Sequence, residues 1–154
     1  MLEMSKLSLR NFMGEGVYDG FSIAKATSEH ANILQHNLRD SDVRECIIHG
    51  ASPFRALMSS IREKGENFTC IIDGQPICMF GVNPIMEMMI GRIWLLGSYE
   101  IEKRGRKFIR WSQSVVNYYQ EQYYQLENVV PADHKDTIDW LQFLGFELMT
   151  PPIK

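Results

Sequence analysis

The sequence of 154 residues has few cysteines, no long apolar run and no low-complexity tract. Its three cysteines, Cys46, Cys70 and Cys78, are an odd number and lack the spacing of metal ligands, which argues against a disulfide framework and a zinc site. No apolar stretch approaches the roughly 18 residues that a membrane span needs, and no signal peptide pattern opens the chain. We therefore expect a reduced compartment, no metal and no membrane span.

The chain also lacks a basic excess, since 16 Lys and Arg side chains face 19 Asp and Glu, for a net charge of −3. Nucleic acid is thus an unlikely partner overall. A local exception is the cluster Lys103, Arg104, Arg106 and Lys107, at the start of a predicted helix. Cations there oppose the helix dipole, so the cluster is either solvated, in contact with a protein or nucleic acid, or bound to a phosphate group.

The length predicts one domain, preceded by an arm at 1–20 in which Gly14, Gly16 and Gly20 interrupt regular structure. An arm of this kind ties a subunit to a neighbour or packs loosely. We place the domain at 21–150.

Hydrophobic periodicity and turn residues predict alternating strands and helices in this domain. Three helices follow the first strand, and their predicted caps are Thr27 or Ser28, then Ser41 and Asp42, then Ser52 before Pro53. Asp73-Gly74 predicts a hairpin turn. The predicted elements are strands at 21–26, 68–72, 76–82, 93–98, 126–130 and 146–149, with a long helix at 105–124 and a last helix opened by Asp133 or Asp136 and ended at Gly145.

This order predicts a mixed α/β (α+β) sheet with helices on both faces. The early hairpin strands are antiparallel. The strand–helix–strand unit at 92–130 must be parallel, with a right-handed crossover.

Three segments carry a resemblance to a known family: Trp94-Leu95-Leu96, the basic turn at 104–108, and 138–146 with its Leu144-Gly145-Phe146 ending. In order and spacing the chain resembles the GNAT superfamily of N-acetyltransferases over about 21–149. It is most similar to the phage branch, which includes the internal virion protein A of T7-like phages. The resemblance implies a mostly antiparallel sheet with a splayed parallel strand pair, whose gap holds the pantetheine arm of acetyl-CoA.

The resemblance also implies site residues. The cofactor-binding candidates are Leu96, Ser98, Lys103, Arg104, Gly105, Arg106 and Lys107. Backbone N–H groups at a helix start can bind a pyrophosphate where glycines permit close approach. Glu100, just after the splayed strand, is the candidate general base for an amine substrate. Acetyl-CoA or CoA is the implied cofactor.

The chain departs from the pattern of active members at four positions. Glu102 replaces the Gln or Arg of the pyrophosphate turn, and Lys107 replaces its final small residue. Leu141 stands where a tyrosine protonates the thiolate, and leucine cannot donate a proton. His134 stands at an asparagine position.

Three interpretations stay open. The first is a phage virion-associated or assembly protein that has lost catalysis, located in the host cytoplasm during infection or in the virion. Its partners would be other structural or internal virion proteins, or further copies of itself. The second is an active acetyl-CoA-dependent N-acetyltransferase acting on a protein or small-molecule amine, since orientation and oxyanion contacts carry much of acyl transfer. The third is a nucleic-acid-binding module.

Overall fold

The computed structural model describes residues 17–18, 21–62, 66–86, 89–130 and 133–148. Its six strands follow one another across a single sheet in chain order. They are β1 Val17–Tyr18, β2 Phe21–Lys25, β3 Glu66–Ile72, β4 Gln75–Met86, β5 Ile90–Gly97 and β6 Gln125–Glu127. All neighbours are antiparallel except β5 and β6, which are parallel. The predicted mixed sheet with one parallel pair is confirmed.

Helices cover both faces of the sheet, as predicted. They are α1 Ser28–Leu34, α2 Asp40–Ile48, α3 Pro53–Arg62, α4 Glu100–Arg104, α5 Arg106–Gln120 and α6 Lys135–Phe143. On one face, α5 and α6 pack against a core centred on Phe80 and Trp111. On the other face, α1, α2 and α3 pack around Leu34, Leu57 and Met79. No helix among the described residues is long and apolar enough to cross a membrane.

Local sequence signals explain several boundaries. The Thr27 hydroxyl accepts a hydrogen bond from the His30 N–H at 3.2 Å, and His30 Nδ1 accepts one from the Thr27 N–H at 3.3 Å. This reciprocal pair caps α1 at the predicted residue. The Ser52 hydroxyl accepts from the Arg55 N–H at 3.3 Å and caps α3. The β3–β4 turn has positive φ at Asp73 (50°) and Gly74 (76°), as a two-residue hairpin requires.

The second helix begins earlier than predicted. It starts at Asp40, and Arg39 occupies the cap position without a side-chain cap bond. Ser41 and Asp42 were predicted to cap it, and that was wrong. The Asp42 carboxylate instead turns inward and accepts a hydrogen bond from the Gly97 N–H, so it is not available to the start of its own helix.

The C-terminal third differs from the prediction in four respects. The predicted helix at 105–124 is the single helix α5, which ends earlier, at Gln120, and a short helix that was not predicted, α4, precedes it across Gly105 (φ 49°, ψ −117°). The strand at 126–130 ends at Glu127, where the chain leaves β5. The cap of α6 is His134 and not Asp133 or Asp136. The described part of the predicted strand at 146–149 (residues 146–148) is not a strand.

Most of the predicted arm at 1–20 lies outside the described residues, as does Met149. The described part, Val17–Tyr18, pairs with β2 at the sheet edge. The boundary between arm and domain stays a prediction.

Candidate functional site

The parallel strands β5 and β6 separate part of the way along their length. Three residue pairs hold them together, and the last is Arg92 with Glu127, whose side chains also form an ion pair at 2.9 Å. Beyond it, β5 stays paired with β4 to Gly97, while residues 128–130 are not part of a strand. The resulting gap opens into a cavity of about 840 Å³, which we term the wedge cavity. The splayed pair is thus confirmed.

Aromatic side chains form much of the cavity wall. Those that line it are Phe80, Trp94, Phe108, Trp111, Tyr119 and Trp140. Their rings contact one another: Phe80 and Trp111 meet edge to face with centroids 4.9 Å apart. Such a wall suits a ligand with an apolar body.

The main chain of β5 presents hydrogen-bonding groups to the gap. The Ser98 N–H donates to the Ile77 carbonyl of β4 at 2.9 Å, whereas the Gly97 N–H points away from β4. Because these directions alternate along a strand, Leu95 presents its N–H and carbonyl on the same edge as Gly97. Leu95 lines the wedge cavity. A ligand with an amide or carbonyl group could pair with this edge.

A segment of the chain itself covers that edge of β5 at Gly97. We term residues 38–42 the strap, and Leu38 forms an antiparallel bridge with Ser98. The Arg39 N–H donates to the Gly97 carbonyl at 2.9 Å, and the Gly97 N–H donates to Asp42 Oδ2 at 2.9 Å. The Asp40 N–H donates to the Tyr99 hydroxyl at 3.0 Å. The strap therefore uses both main-chain groups of Gly97.

Ionisable groups of α2 meet the start of α6 at the mouth of the cavity. Burial raises the pKa of Asp42, although Arg39, whose guanidinium lies 2.9 Å from its carboxylate, and the Gly97 N–H oppose that shift. Burial and the neighbouring Asp42 charge raise the pKa of Glu45. His134 interacts electrostatically with both carboxylates and lines the cavity. Asp42, Glu45 and His134 thus form a buried or half-buried polar cluster.

Five buried polar atoms of cavity-lining residues make no hydrogen bond within the described chain: Asn83 Oδ1, Trp94 Nε1, Trp111 Nε1, Tyr119 OH and His134 Nε2. Burial raises the pKa of Tyr119 well above its ordinary value, so its hydroxyl stays protonated and can donate. A buried donor without a partner is costly, and water or a ligand normally satisfies it.

The predicted anion-binding turn is helical. Glu100 holds the Lys103 ammonium at 2.9 Å and lies 3.6 Å from the Arg104 guanidinium. Gly105 and Glu102 line the cavity, whereas Lys103, Arg106 and Lys107 do not. Of this turn, the cavity is thus lined by an acidic residue and a glycine and not by its lysines and arginines.

The remaining predicted site residues occupy different surroundings. Leu96 lines the cavity and is buried in the core under α1–α3. The Ser98 hydroxyl is buried and donates to the Ile77 carbonyl. Glu100 is not among the lining residues, and the hydrogen bond from Lys103 lowers its pKa, which makes it a weaker base. The roles assigned to these residues stay predictions.

Asp42 and Glu45 were not singled out as site residues. No local sequence signal distinguishes them, because the partner of Asp42, Gly97, lies 55 positions away in the chain. The described residues contain no group of three or more His, Cys, Asp or Glu side chains that could hold a metal ion.

No protein-family model and no curated protein matches the sequence. Solved structures do match the fold. A GNAT-family acetyltransferase from Bacillus anthracis aligns with a TM-score of 0.62 and 13% identity, over 82% of this chain and 80% of that one. The ribosomal-protein-S18-alanine N-acetyltransferase from Escherichia coli gives a TM-score of 0.58 and 13% identity, over 84% and 79%.

An aminoglycoside antibiotic 6'-N-acetyltransferase from Acinetobacter baumannii also aligns, with a TM-score of 0.55 and 13% identity, over 88% of this chain and 96% of that one. At this identity the likeness concerns the fold. The chain therefore has the fold of GNAT acetyltransferases, and its activity has to be argued from its own site.

Proposed function

We propose that this GNAT-fold chain is a phage virion-associated or assembly protein that no longer transfers acetyl groups from acetyl-CoA. The phage assignment is supported by the sequence resemblance of the C-terminal third. It implies partners among the other structural or internal virion proteins, and a location in the host cytoplasm during infection or in the virion.

The observation that carries the loss of catalysis is the strap. In a working cleft the open edge of β5 would be available to the thioester arm. Here Arg39 and Asp42 take both main-chain groups of Gly97. A ligand entering from this end would have to break those bonds, including one to a carboxylate that is 7% exposed.

The turn after β5 departs from a pyrophosphate site in its first part. There the N–H groups of Ile101 and Glu102 donate within α4, to the Ser98 and Tyr99 carbonyls at 3.1 Å each. The Glu102 carboxylate would repel a phosphate at the cavity wall. Leu141, at the position of the expected acid, is buried in the core. The apolar part of the cavity could take a pantetheine, whereas the turn departs from a phosphate site at Glu102.

Titration with acetyl-CoA tests this proposal. We expect no heat in calorimetry and no rise in the melting temperature. For comparison, about 1 mM ligand against a Kd of about 10 µM would stabilise the native state by about 2.7 kcal/mol. Saturable binding would overturn the loss of cofactor use. Failure to detect the chain in purified virions with a specific antibody would overturn the virion assignment separately.

An active N-acetyltransferase is the second candidate, because the wedge cavity is retained and Glu45 and His134 line it. A carboxylate whose pKa is raised towards neutrality is a better general base than the ion-paired Glu100. In this alternative, thiol release from acetyl-CoA with an amine acceptor would fall at least about tenfold in Glu45→Gln, whereas Glu100→Gln would leave it largely unchanged.

The same alternative predicts the role of Gly105. This residue lines the cavity, and a Cβ there would meet open space, although its φ of 49° strains any other residue. If CoA binds, Gly105→Glu should abolish its affinity through added negative charge, while Gly105→Gln, which carries the same backbone strain without the charge, should retain more of it. Unchanged CoA affinity in Gly105→Glu would exclude this turn as the phosphate site.

A further inference from the structure

Two exposed surfaces, on helices that pack on opposite faces of the sheet, combine apolar side chains with charges of opposite sign. The first, which we term the groove, is a depression of about 420 Å³ on the outer side of α3. Its lining residues are Ala51, Phe54, Arg55, Met58, Ser59 and Arg62. Next to it along the chain, Ile47 and Ile48 at the end of α2 are 64% and 61% exposed. Adjacent exposed isoleucines beside an apolar depression indicate a contact surface.

Two guanidinium groups border the groove. Arg55 and Arg62 are seven residues apart on α3, so they lie on one face about 10 Å apart along the helix axis. Both are exposed, and neither forms an ion pair with another described residue. The groove is therefore a local cationic surface on a chain of net charge −3.

The second surface surrounds Phe143 at the end of α6, which is 66% exposed although it is a large aromatic side chain. Asp139 precedes it by four residues and Glu147 follows it by four, and both are exposed. Leu148 beside them is 55% exposed. The exposed Lys135 bonds Asp139 at 2.8 Å, a solvent-exposed pair of small strength that another cation can replace.

We propose that the groove of one copy of this chain binds the Phe143 surface of a second copy. Phe143 would enter the groove between Phe54 and Met58, and Asp139 and Glu147 would face Arg55 and Arg62. The pattern cation–apolar–cation thus meets anion–apolar–anion.

Because α3 and α6 pack on opposite faces of the sheet, the contact is head to tail. Each copy then offers one surface of each kind, which gives a ring or an open chain of subunits. Both surfaces are small, so we expect a single contact to be weak. Repeated contacts within an assembly would add avidity. The inference does not depend on whether the wedge cavity binds CoA.

Paired charge reversals test this contact. By sedimentation velocity, the wild-type chain should show an average mass that rises between about 10 µM and about 1 mM, the range of weak interfaces. The groove variant Arg55→Glu/Arg62→Glu and the helix variant Asp139→Lys/Glu147→Lys should each associate at least about tenfold more weakly, because like charges then face each other.

Mixing the two variants should restore association, since each altered surface then meets an oppositely charged one. Phe143→Ser should weaken association without changing any charge. Thermal unfolding checks that every variant is folded, which is expected because all the changed side chains are exposed. A wild-type chain that stays monomeric throughout, or a mixture that stays as dissociated as its components, would overturn the proposal. Charge-reversal variants that associate as strongly as the wild type would also overturn the proposal.

Discussion

Replacing Gly81 with alanine is expected to destabilise the protein by about 3 kcal/mol, because the strand has no room for a side chain there. A Cβ atom at Gly81 would lie 2.5 Å from the Glu66 carbonyl oxygen, 2.5 Å from Asn67 Oδ1 and 2.9 Å from Trp94 Nε1. The carbonyl belongs to the paired backbone of β3 and cannot move alone. Relief therefore requires β3 and β4 to shift apart in the centre of the sheet.

Urea unfolding followed by circular dichroism measures this effect, and Gly97→Ala is the matched control. A Cβ at Gly97 would meet chiefly Ile101 Cδ1, which is the far end of a flexible side chain, and then Ile101 Cγ1 and Cys78 Cβ at 3.2 Å each. Ile101 can change its rotamer, so the control should lose only about 1 kcal/mol. An equal or larger loss in the control would show that the β3–β4 contact does not limit the space at Gly81.

The parts of the fold that the sequence predicted correctly are those decided within a few residues. The caps at Thr27 and Ser52 each bond a residue three positions along the chain. The hairpin turn at Asp73-Gly74 needs two adjacent residues that tolerate positive φ. The burial of Cys70 and Cys78 also follows from their apolar surroundings, and both are buried in β3 and β4.

The incorrect predictions concern interactions between distant residues. Nothing near Asp42 in the sequence shows that its carboxylate bonds Gly97, 55 positions away, in preference to the start of its own helix. The strand after α5 ends at Glu127 because its partner strand diverges there, although Val129 and Val130 continue the apolar pattern. The short helix α4 was likewise missed, because the charged residues before Gly105 indicate a turn and show too few apolar positions for a helical period.

The site was predictable in position but not in content. The resemblance to GNAT acetyltransferases implied a gap between the strand at 93–98 and the next strand, and the wedge cavity lies there. The sequence could not show which ionisable groups reach the cavity, because Glu45 lies on α2, far from β5 and β6 in the chain. Nor could it show that the Lys103 ammonium donates a hydrogen bond to the Glu100 carboxylate. Side chains three residues apart come together only where the chain is helical.

Asp42→Ala is expected to lower the free energy of unfolding by about 3 kcal/mol, because it removes the buried carboxylate that binds both the Gly97 N–H of β5 and the Arg39 guanidinium of the strap. The Gly97 N–H and the Arg39 guanidinium, which is 21% exposed, would each lose their carboxylate partner. Asp42→Asn keeps an oxygen of similar position for the Gly97 N–H. Since burial disfavours the charged form of Asp42, the neutral amide should cost no more than about 1 kcal/mol at pH 7.

The difference in unfolding free energy between the wild type and Asp42→Asn should depend on pH with a defined sign. The pKa of Asp42 is raised in the folded state, so the folded chain holds this proton more tightly than the unfolded chain. The wild type is therefore favoured most below the unfolded pKa of about 3.9. That advantage falls as pH rises to the folded pKa and is constant above it. Loss of the Asp42 charge also removes one cause of the raised pKa of Glu45, which acts in the same direction.

Urea unfolding of both proteins from about pH 4 to pH 8 measures this difference, and hydrogen exchange at the Gly97 amide tests the strap directly. Exchange should be fast in Asp42→Ala and slow in the wild type and in Asp42→Asn, where an oxygen still accepts the amide hydrogen. A wild-type advantage that grows with pH would show that the Arg39 ion pair outweighs burial. Slow exchange in Asp42→Ala would show that the Leu38–Ser98 bridge and the Arg39–Gly97 bond hold the strap on β5 without the carboxylate.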